Sequence, residues 1–325
     1  MQPTRGDVHV NRPLTNISVA FMQDAANFVA DQVFPNVPVQ KQSDRYFTYD
    51  RGEMNRDEME LRAPGTESAG RGYTVDSTPT YYAPVYAYHH DIPDEIRANA
   101  DAPLDLDRET TYIVTLKALI KREVLWATKY FQGGVWTNDY DGGGATGQVP
   151  HWNISSSTPV ENVRAAATTQ AESTGFRPNT LVMGRRVFDS LVDHPEIIDR
   201  IKYSSSPGSP AIVNKNTLAQ LFEVERVLVM DSIRNTAKKG LANSHSFIGG
   251  KHALLCYVAP NPGIMTPSAG YTFSWAGWFG ASQSGTRIKT IRLDREDSDR
   301  VEIQMALDQK VVAADMGTFW ENIVD

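Results

Sequence analysis

The sequence predicts an α+β fold, and three observations carry that reading. Residues 105–131 hold one long helical stripe of apolar residues. Two stretches, 44–92 and 286–308, alternate apolar and polar residues as strands do, and each surrounds a charged turn. Between them, residues 158–230 alternate short helical and strand patterns, as a compact mixed domain does.

The chain has 325 residues, enough for two ordinary domains, and its 41% apolar and 22% charged composition is that of a folded protein. No apolar run approaches the roughly 20 residues of a membrane span. The opening "MQPTRGDVHVNRPLTNISV" lacks the basic start and apolar core of a signal peptide, so the expected compartment is a cytoplasm. Cys256 is the single cysteine, flanked by apolar residues in "HALLCYVA", and reads as a small buried hydrophobe. A net charge of −7 argues against a dedicated nucleic-acid binder, which would show a basic field.

Residues 1–43 carry few charges and several prolines. A short amphipathic helix is expected at 16–34, where Val19, Met22, Ala26, Val29 and Val33 recur at spacings of three and four, with Asn16 or Ser18 as cap. "FPNVPVQKQ" (34–42) should run extended, because each proline disfavours helix in the residue before it. Such an arm has little core of its own and must lie against something.

Residues 44–83 read as a long hairpin. Tyr46, Thr48 and Asp50 alternate with Phe47, Tyr49 and Arg51. Gly65, Gly70 and Gly72 in "RAPGTESAGRGY" break the pattern near the return. A further strand is expected at 84–92 and a turn region at 91–107. In the helix 105–131, Ile113, Leu116, Ile120, Val124, Ala127 and Phe131 form the stripe; Asp105, Asp107 and Glu109 fill the first turn, and the lysines follow later, as the helix dipole favours. The glycine-rich stretch 132–148 reads as a flexible connection.

The helix from 159 has Thr158 as cap and Pro159 in its first turn. "NTLVMG" (179–184) is a buried strand, two helical pieces are split by Pro195, and 204–210 is a loop. A helix at 216–224 and a strand at 226–231 follow, then an exposed loop at 234–246 and a buried strand region at 247–259. In the last hairpin Val301, Ile303, Met305 and Leu307 alternate strictly with Glu302, Gln304, Ala306 and Asp308 after the charged turn 294–300.

No chemistry-bearing motif survives inspection. "GGK" (249–251) lacks the spacing of a phosphate loop and is followed by His252 instead of Ser or Thr. His89 and His90 are adjacent on a strand and point to opposite faces, so they do not share a metal. "DYDGGGATGQVP" (139–150) lacks the closing glutamate of a calcium loop. There is no G-x-S-x-G elbow and no zinc-protease motif. The expectation is therefore no catalytic residue, no cofactor and no metal.

The order of parts, and the stretches at 13–35, 41–53, 62–73, 105–123, 179–203 and 267–277, resemble the major capsid proteins of tailed bacteriophages, which have the Hong Kong 97-like fold. The resemblance covers essentially the whole chain. It implies an N-terminal arm (1–43), an extended loop (44–83), a peripheral domain (84–145 and 286–308) with 105–131 as its spine helix, and an axial domain (146–285 and 309–325). It implies self-assembly into pentamers and hexamers of a virion shell around packaged DNA, held non-specifically. Portal, scaffolding and decoration or cement proteins would be partners; a membrane would not. Assembly would take place in the host bacterial cytoplasm. A cellular nanocompartment shell is the rival within the same fold, and a soluble α/β hydrolase the rival outside it.

On this reading a hairpin without a core gains one by lying across the next subunit, a heterologous contact that closes around a ring. The expected inter-subunit residues are Arg45, Arg51, Glu53, Arg56, Asp57, Glu58, Glu60, Arg62, Glu67 and Arg71 of the hairpin, since arginine suits bidentate pairing with carboxylates. Asp294, Arg295, Glu296, Asp297, Asp299 and Arg300 of the second turn are expected near three-fold junctions. Some family members weld their shells by a lysine–asparagine isopeptide bond from the extended loop; here no lysine occurs between Lys41 and Lys117, so no such crosslink is expected. The arm starts almost at Met1, leaving no room for a fused scaffold of about 100 residues, so a separate scaffolding protein is expected.

Overall fold

Two five-stranded sheets organise the chain, as a computed structural model describes it for residues 22–100, 104–143, 148–204, 213–263, 265–279 and 285–325. The first sheet is built on the long strand Ser298–Val311. Its first half pairs antiparallel with Val85–Pro93 on one side and Thr286–Leu293 on the other; its second half pairs with Gly270–Trp275. Val301, Ile303, Met305 and Leu307 are all buried, as expected, but of the residues that alternate with them only Glu302 stays half-exposed; Gln304, Ala306 and Asp308 are buried too. The long helix Leu106–Tyr130 packs on this sheet, where Val114 meets Ile92, Val301 and Ile303.

The second sheet runs Asn138–Asp141, Gly317–Glu321, Ala253–Cys256, Thr180–Gly184, Arg226–Met230. Its central strands are buried on both faces, and the period of two sorts their side chains. Leu181, Met183, Leu255 and Trp320 face a core with the helices Pro159–Thr174, Arg185–Val192, Pro195–Ser204 and Lys215–Leu221. Val182, Leu254, Cys256 and Phe319 face a second core with Trp126 and Phe131 of the long helix and Val33 and Phe34 of the arm. The thiol of Cys256 is buried, as expected, and burial pushes it up to about 12.

Several local expectations are corrected. Within the described part of 16–34 there is no single helix. A turn of 3-10 helix spans Ala25–Asn27 and one turn of α-helix spans Ala30–Val33. The break has a tertiary cause: the buried carboxylate of Glu123 accepts hydrogen bonds from the Val29 and Ala30 N–H groups, at 3.1 and 2.9 Å. Those donors would otherwise face carbonyls one turn earlier. The part of the expected helix before Met22, with Val19 and both proposed caps, lies outside the described residues. The inward face of the long helix agrees only in part with the expected stripe: Ala127 and Phe131 are buried and Leu116, Ile120 and Val124 half-buried, but the buried set is wider at one side and leaves out Ile113. Thr110, Val114, Glu123, Trp126 and Ala127 are buried, while Ile113 is exposed. Thr158 stands at the N-cap of its helix without capping it through its side chain. The turn region after Pro93 contains a short helix, Asp94–Ala98. The glycine-rich connection includes a strand, Asn138–Asp141, parallel to Gly317–Glu321. The loop at 234–246 is a hairpin, Ile233–Asn235 against His245–Phe247. Residues 205–210 of the expected loop lie outside the described residues.

The arm does lie against something. Asn36–Val39 adds a parallel strand beside Gly270–Trp275. Phe34 is fully buried with its ring 5.9 Å from Trp126 and 5.2 Å from Tyr130. Burial of that size stabilises by about 1.5–3 kcal/mol. Gly270 makes this possible: a Cβ there would run into the Phe34 ring.

Candidate inter-subunit surface

The extended hairpin is anchored at its base and bare towards its tip. Ser43–Arg45 pairs with Thr80–Tyr82, and Tyr81 stacks on Phe273 at 4.7 Å with Tyr46 beside it at 5.3 Å. Asp308 accepts a hydrogen bond from the Tyr82 N–H at 3.0 Å. Further out only Thr48–Tyr49 and Val75–Asp76 pair. The expected strand stops there because Asp50 caps a short helix, Arg51–Met54, accepting from the Gly52 N–H. From Asn55 to Thr74 the chain forms no strand or helix.

This segment exposes apolar side chains as well as charges. Met59 is 94% exposed and Leu61 103%. The sequence reading passed over both, because each is an isolated hydrophobe inside the charged run "DEMELR". Free apolar groups of this size on a strandless segment gain nothing from the fold of one chain.

The charged residues singled out in the hairpin divide into two groups. Arg51 reaches Asp315 in the body at 2.7 Å, and Glu53 accepts from both the N–H and the hydroxyl of Thr74. Arg62 donates to the Thr66 carbonyl at 2.6 Å. Glu58 sits 3.6 Å from Arg56 and 3.8 Å from Arg71, loose and exposed pairs that stabilise little. The only acid that Arg45 touches is its neighbour Asp44, to which its N–H donates at 2.9 Å, and it makes no side-chain salt bridge; Asp57, Glu60 and Glu67 have no hydrogen-bond or ionic partner, among the described residues.

The second turn is different. Arg300 grips Asp91 with two bonds of 2.7 and 2.9 Å, and Asp299 accepts from Arg97 at 2.6 Å and lies 3.3 Å from Arg292. Arg292 in turn holds Asp94 with two bonds of 2.8 and 2.6 Å. Hydrogen bonds from these arginines hold the Asp91, Asp94 and Asp299 carboxyls below their ordinary range. Asp299 and Arg300 therefore brace the turn within the chain. Arg97 and Arg292 complete that brace, and of the two only Arg292 stood close enough to the turn to be suspected from the sequence. Asp294 and Asp297 are almost fully exposed beyond it, at 3.7 and 3.8 Å from Arg292. Arg295 and Glu296 point outward with no direct ion pair among the described residues.

One buried pair could be mistaken for catalytic machinery. Ser157 Oγ lies 3.1 Å from His194 Nε2. Yet His194 Nδ1 accepts from the Glu196 N–H, so the ring proton sits on Nε2, which lies 3.1 Å from the Ile154 carbonyl. An imidazole in that tautomer cannot take a proton from Ser157. The pair ties a loop to a helix start. No group of three or more potential metal ligands is found among the described residues, and none of their helices is long and apolar enough to cross a membrane.

Comparison with known proteins places this architecture. A family profile described as phage major capsid protein E matches residues 146–269. The major capsid protein of Pseudomonas phage JBD67 is 26% identical over 97% of both chains. The chain is similar to phage major capsid proteins, to that of phage JBD67 along its whole length. The fold is the Hong Kong 97-like one. A phage-related protein from Bordetella bronchiseptica RB50 superposes with a TM-score of 0.70 at 20% identity, covering 93% of this chain and 94% of that one. The bacteriophage PhiM1 mature capsid gives a TM-score of 0.60 at 11% identity, covering 97% and 92%. These likenesses support a structural subunit of a shell.

Proposed function

We propose that this subunit assembles into rings of five and six that close an icosahedral head around packaged double-stranded DNA, and that its extended hairpin supplies the contact between neighbours in each ring. The observation that carries this is the state of residues 55–74. Met59 and Leu61 are bare, and Asp57, Glu60 and Glu67 are unpaired on a segment that has no core in its own chain. The next subunit provides that core, and Arg45, Arg56, Arg62 and Arg71 meet carboxylates across the contact. At the second turn Asp294, Arg295, Glu296 and Asp297 make the junction contacts, while Asp299 and Arg300 stiffen the turn behind them.

The chain divides into arm, extended loop, peripheral and axial parts on this reading. Within that division Asn138–Asp141 shares a sheet with Gly317–Glu321, and Gly270–Trp275 pairs with Ser298–Val311. The role is structural, without a catalytic site, and assembly takes place in the host cytoplasm with a separate scaffolding protein, a portal and decoration proteins as partners. A nanocompartment shell would share the fold; the whole-length likeness to a phage capsid protein favours the phage head.

The test is to express the chain alone and with its scaffold candidate, size it by sedimentation, and image the heavy fraction. Rings or closed shells are expected, and charge reversal of Arg56, Arg62 and Arg71 together should abolish them. A monomer that stays monomeric with the scaffold would overturn the reading.

A further inference from the structure

The charge of this acidic chain is unevenly placed. Between Asp231 and Asp294 there is no aspartate or glutamate, although the chain has 39. The same interval carries Arg234, Lys238, Lys239, Lys251, Arg287, Lys289 and Arg292. Lys289 pairs with Glu302 and Arg292 with Asp94, both in the first sheet. Arg234, Lys238 and Lys239 behave otherwise. All three are exposed, and none has an acidic partner among the described residues. Most other arginines of the body are committed, among them Arg97, Arg122, Arg164, Arg177, Arg185, Arg200 and Arg300.

The three free cations stand on one built element. The hairpin Ile233–Asn235 and His245–Phe247 pairs Arg234 with Ser246, which puts both on one face. Its far end is ordered by Asn235. That side chain accepts from the Ala237 and Ser244 N–H groups at 3.0 Å each and donates to Asn243 at 2.9 Å. Thr236 closes the ladder on the Ser244 carbonyl at 2.8 Å, and the Leu241 N–H turns back onto the Lys238 carbonyl at 3.1 Å with Gly240 at φ +94. Lys238 and Lys239 are thus held at the tip of a finger. The finger is fixed at its base: Gln23 of the arm exchanges two 2.7 Å bonds with the backbone of Ile233.

We propose that this finger, with Arg234, Lys238 and Lys239 as its cations, contacts the phosphate backbone of nucleic acid without reading sequence. Its chemistry selects that occupant. Lysine is depleted at protein–protein contacts, which are enriched in aromatic residues, whereas Lys, Arg, Ser, Thr and Asn are the usual phosphate-contacting side chains. The finger's outer residues are Asn, Thr, Lys, Ser and Gly, with Leu241 the one large apolar group at the tip. Three cations per chain bind weakly and salt-sensitively, so a shell could touch its genome at many points without holding any one of them firmly. The inference rests on the shell reading for its biological occupant, and deepens it by naming the surface.

The experiment measures fluorescence anisotropy of a short labelled DNA duplex with the full chain, at several salt concentrations, for two unrelated sequences. Three neutralised phosphates predict a log–log salt slope of about −2.7 and binding about fortyfold weaker at 200 mM than at 50 mM salt. Both sequences should bind alike. R234Q/K238Q/K239Q should lose at least about tenfold in affinity, and each single Lys→Gln should lower the slope by about 1. The single variants and a thermal melt separate this from misfolding. Equal binding by the triple variant overturns the inference, as does a wild-type chain that ignores the duplex at low salt. A triple variant that still binds DNA but no longer assembles also overturns it, since the finger would then meet another subunit. Sedimentation of the same samples reports on the shell reading separately: shells without finger-dependent DNA binding sink this inference alone, and a chain that never assembles sinks the shell reading whatever the anisotropy shows.

Discussion

Glu123 joins the arm to the long helix, and replacing it should leave a signature in the pH dependence of stability. Its side chain is 1% exposed. Burial pushes the carboxyl up to about 7, against its hydrogen bonds from Ala30, Val29 and Ser232, and the nearby Asp31 charge pushes the same way as burial. In the unfolded chain the carboxyl ionises near its ordinary value, 4.5. Between those two values the folded protein holds a proton that the unfolded protein releases, so this group lowers stability as pH rises. At about 1.4 kcal/mol per pKa unit the loss across the window is about 3 kcal/mol. Glu123→Gln removes the titration yet keeps the contacts: the amide oxygen in the place of Oε2 takes the bonds from Val29 and Ala30, and the amide nitrogen faces Ser232 Oγ. The assay is urea unfolding of the unassembled chain from pH 4.5 to 8, wild type against E123Q. The difference in stability, wild type minus variant, should fall by about 3 kcal/mol up to pH 7 and stay level above it. His252, whose pKa burial lowers, titrates alike in both proteins and cancels. A difference that is flat across the window, or that rises with pH, refutes the reasoning. Glu123→Ala removes the titration as well, so it should cost about 2–4 kcal/mol relative to Glu123→Gln at every pH, because two buried N–H groups lose their acceptor.

Gly270→Ala should weaken the docking of the arm on the first sheet, since its Cβ meets the Phe34 ring; limited proteolysis before Asn36 should quicken while the melt of the rest changes less. Met59→Ser with Leu61→Ser should leave the melting temperature of the unassembled chain within about 1 °C and reduce ring formation, as sedimentation will show, because both side chains are bare in the single chain. The brace of Asp91, Asp94 and Asp299 has depressed pKa values, so its contribution is present above the ordinary carboxylate range and is lost as pH falls through the lower folded values. Acid unfolding of Arg292→Gln should therefore begin at higher pH than that of wild type. Cys256 should resist thiol reagents in the native chain and react at once in denaturant.

Elements whose pattern is local and strict were legible in the sequence. Thr180–Gly184 is buried at every position and reads as a continuous apolar run; Val301, Ile303, Met305 and Leu307 recur at every second position and are all buried; Pro195 splits two helices where it stands. Features decided by distant residues were not. The long helix carries apolar residues at 112, 113, 114 and 116, so periodicity alone could not choose its inward face, and no rule of hydrophobic patterning finds a buried Glu123. The arm helix breaks at Val29 because an acceptor 94 positions away takes its N–H. Asn138–Asp141 becomes a strand only by parallel pairing with the last strand of the chain. The finger at 233–247 was within reach, since its lack of acids is a plain property of the sequence, but its turn depends on an asparagine side chain that composition does not reveal.

The two charged turns look alike as sequence and differ in what their charges do. Around 294–300 two pairs are bidentate, Arg300 on Asp91 and Arg292 on Asp94, and Arg97 adds a single bond to Asp299, so Asp299 and Arg300 are spent on holding the turn rigid. Around 55–71 the acids outnumber usable partners, the pairs that exist exceed 3.5 Å, and two large apolar groups stand free beside them. A rigid turn suits a contact that must meet its symmetry mates at a fixed angle. A loosely paired strip with apolar anchors suits one whose final conformation is set only when a neighbour covers it, and whose ordering entropy is offset there. Combining the charge reversal at 56, 62 and 71 with neutralisation of Asp294 and Arg295 distinguishes the two roles. The hairpin variant should stop at monomers, whereas the turn variant should still form rings and fail to close them into shells. Rings from the first, or monomers from the second, would show that the division of labour runs the other way.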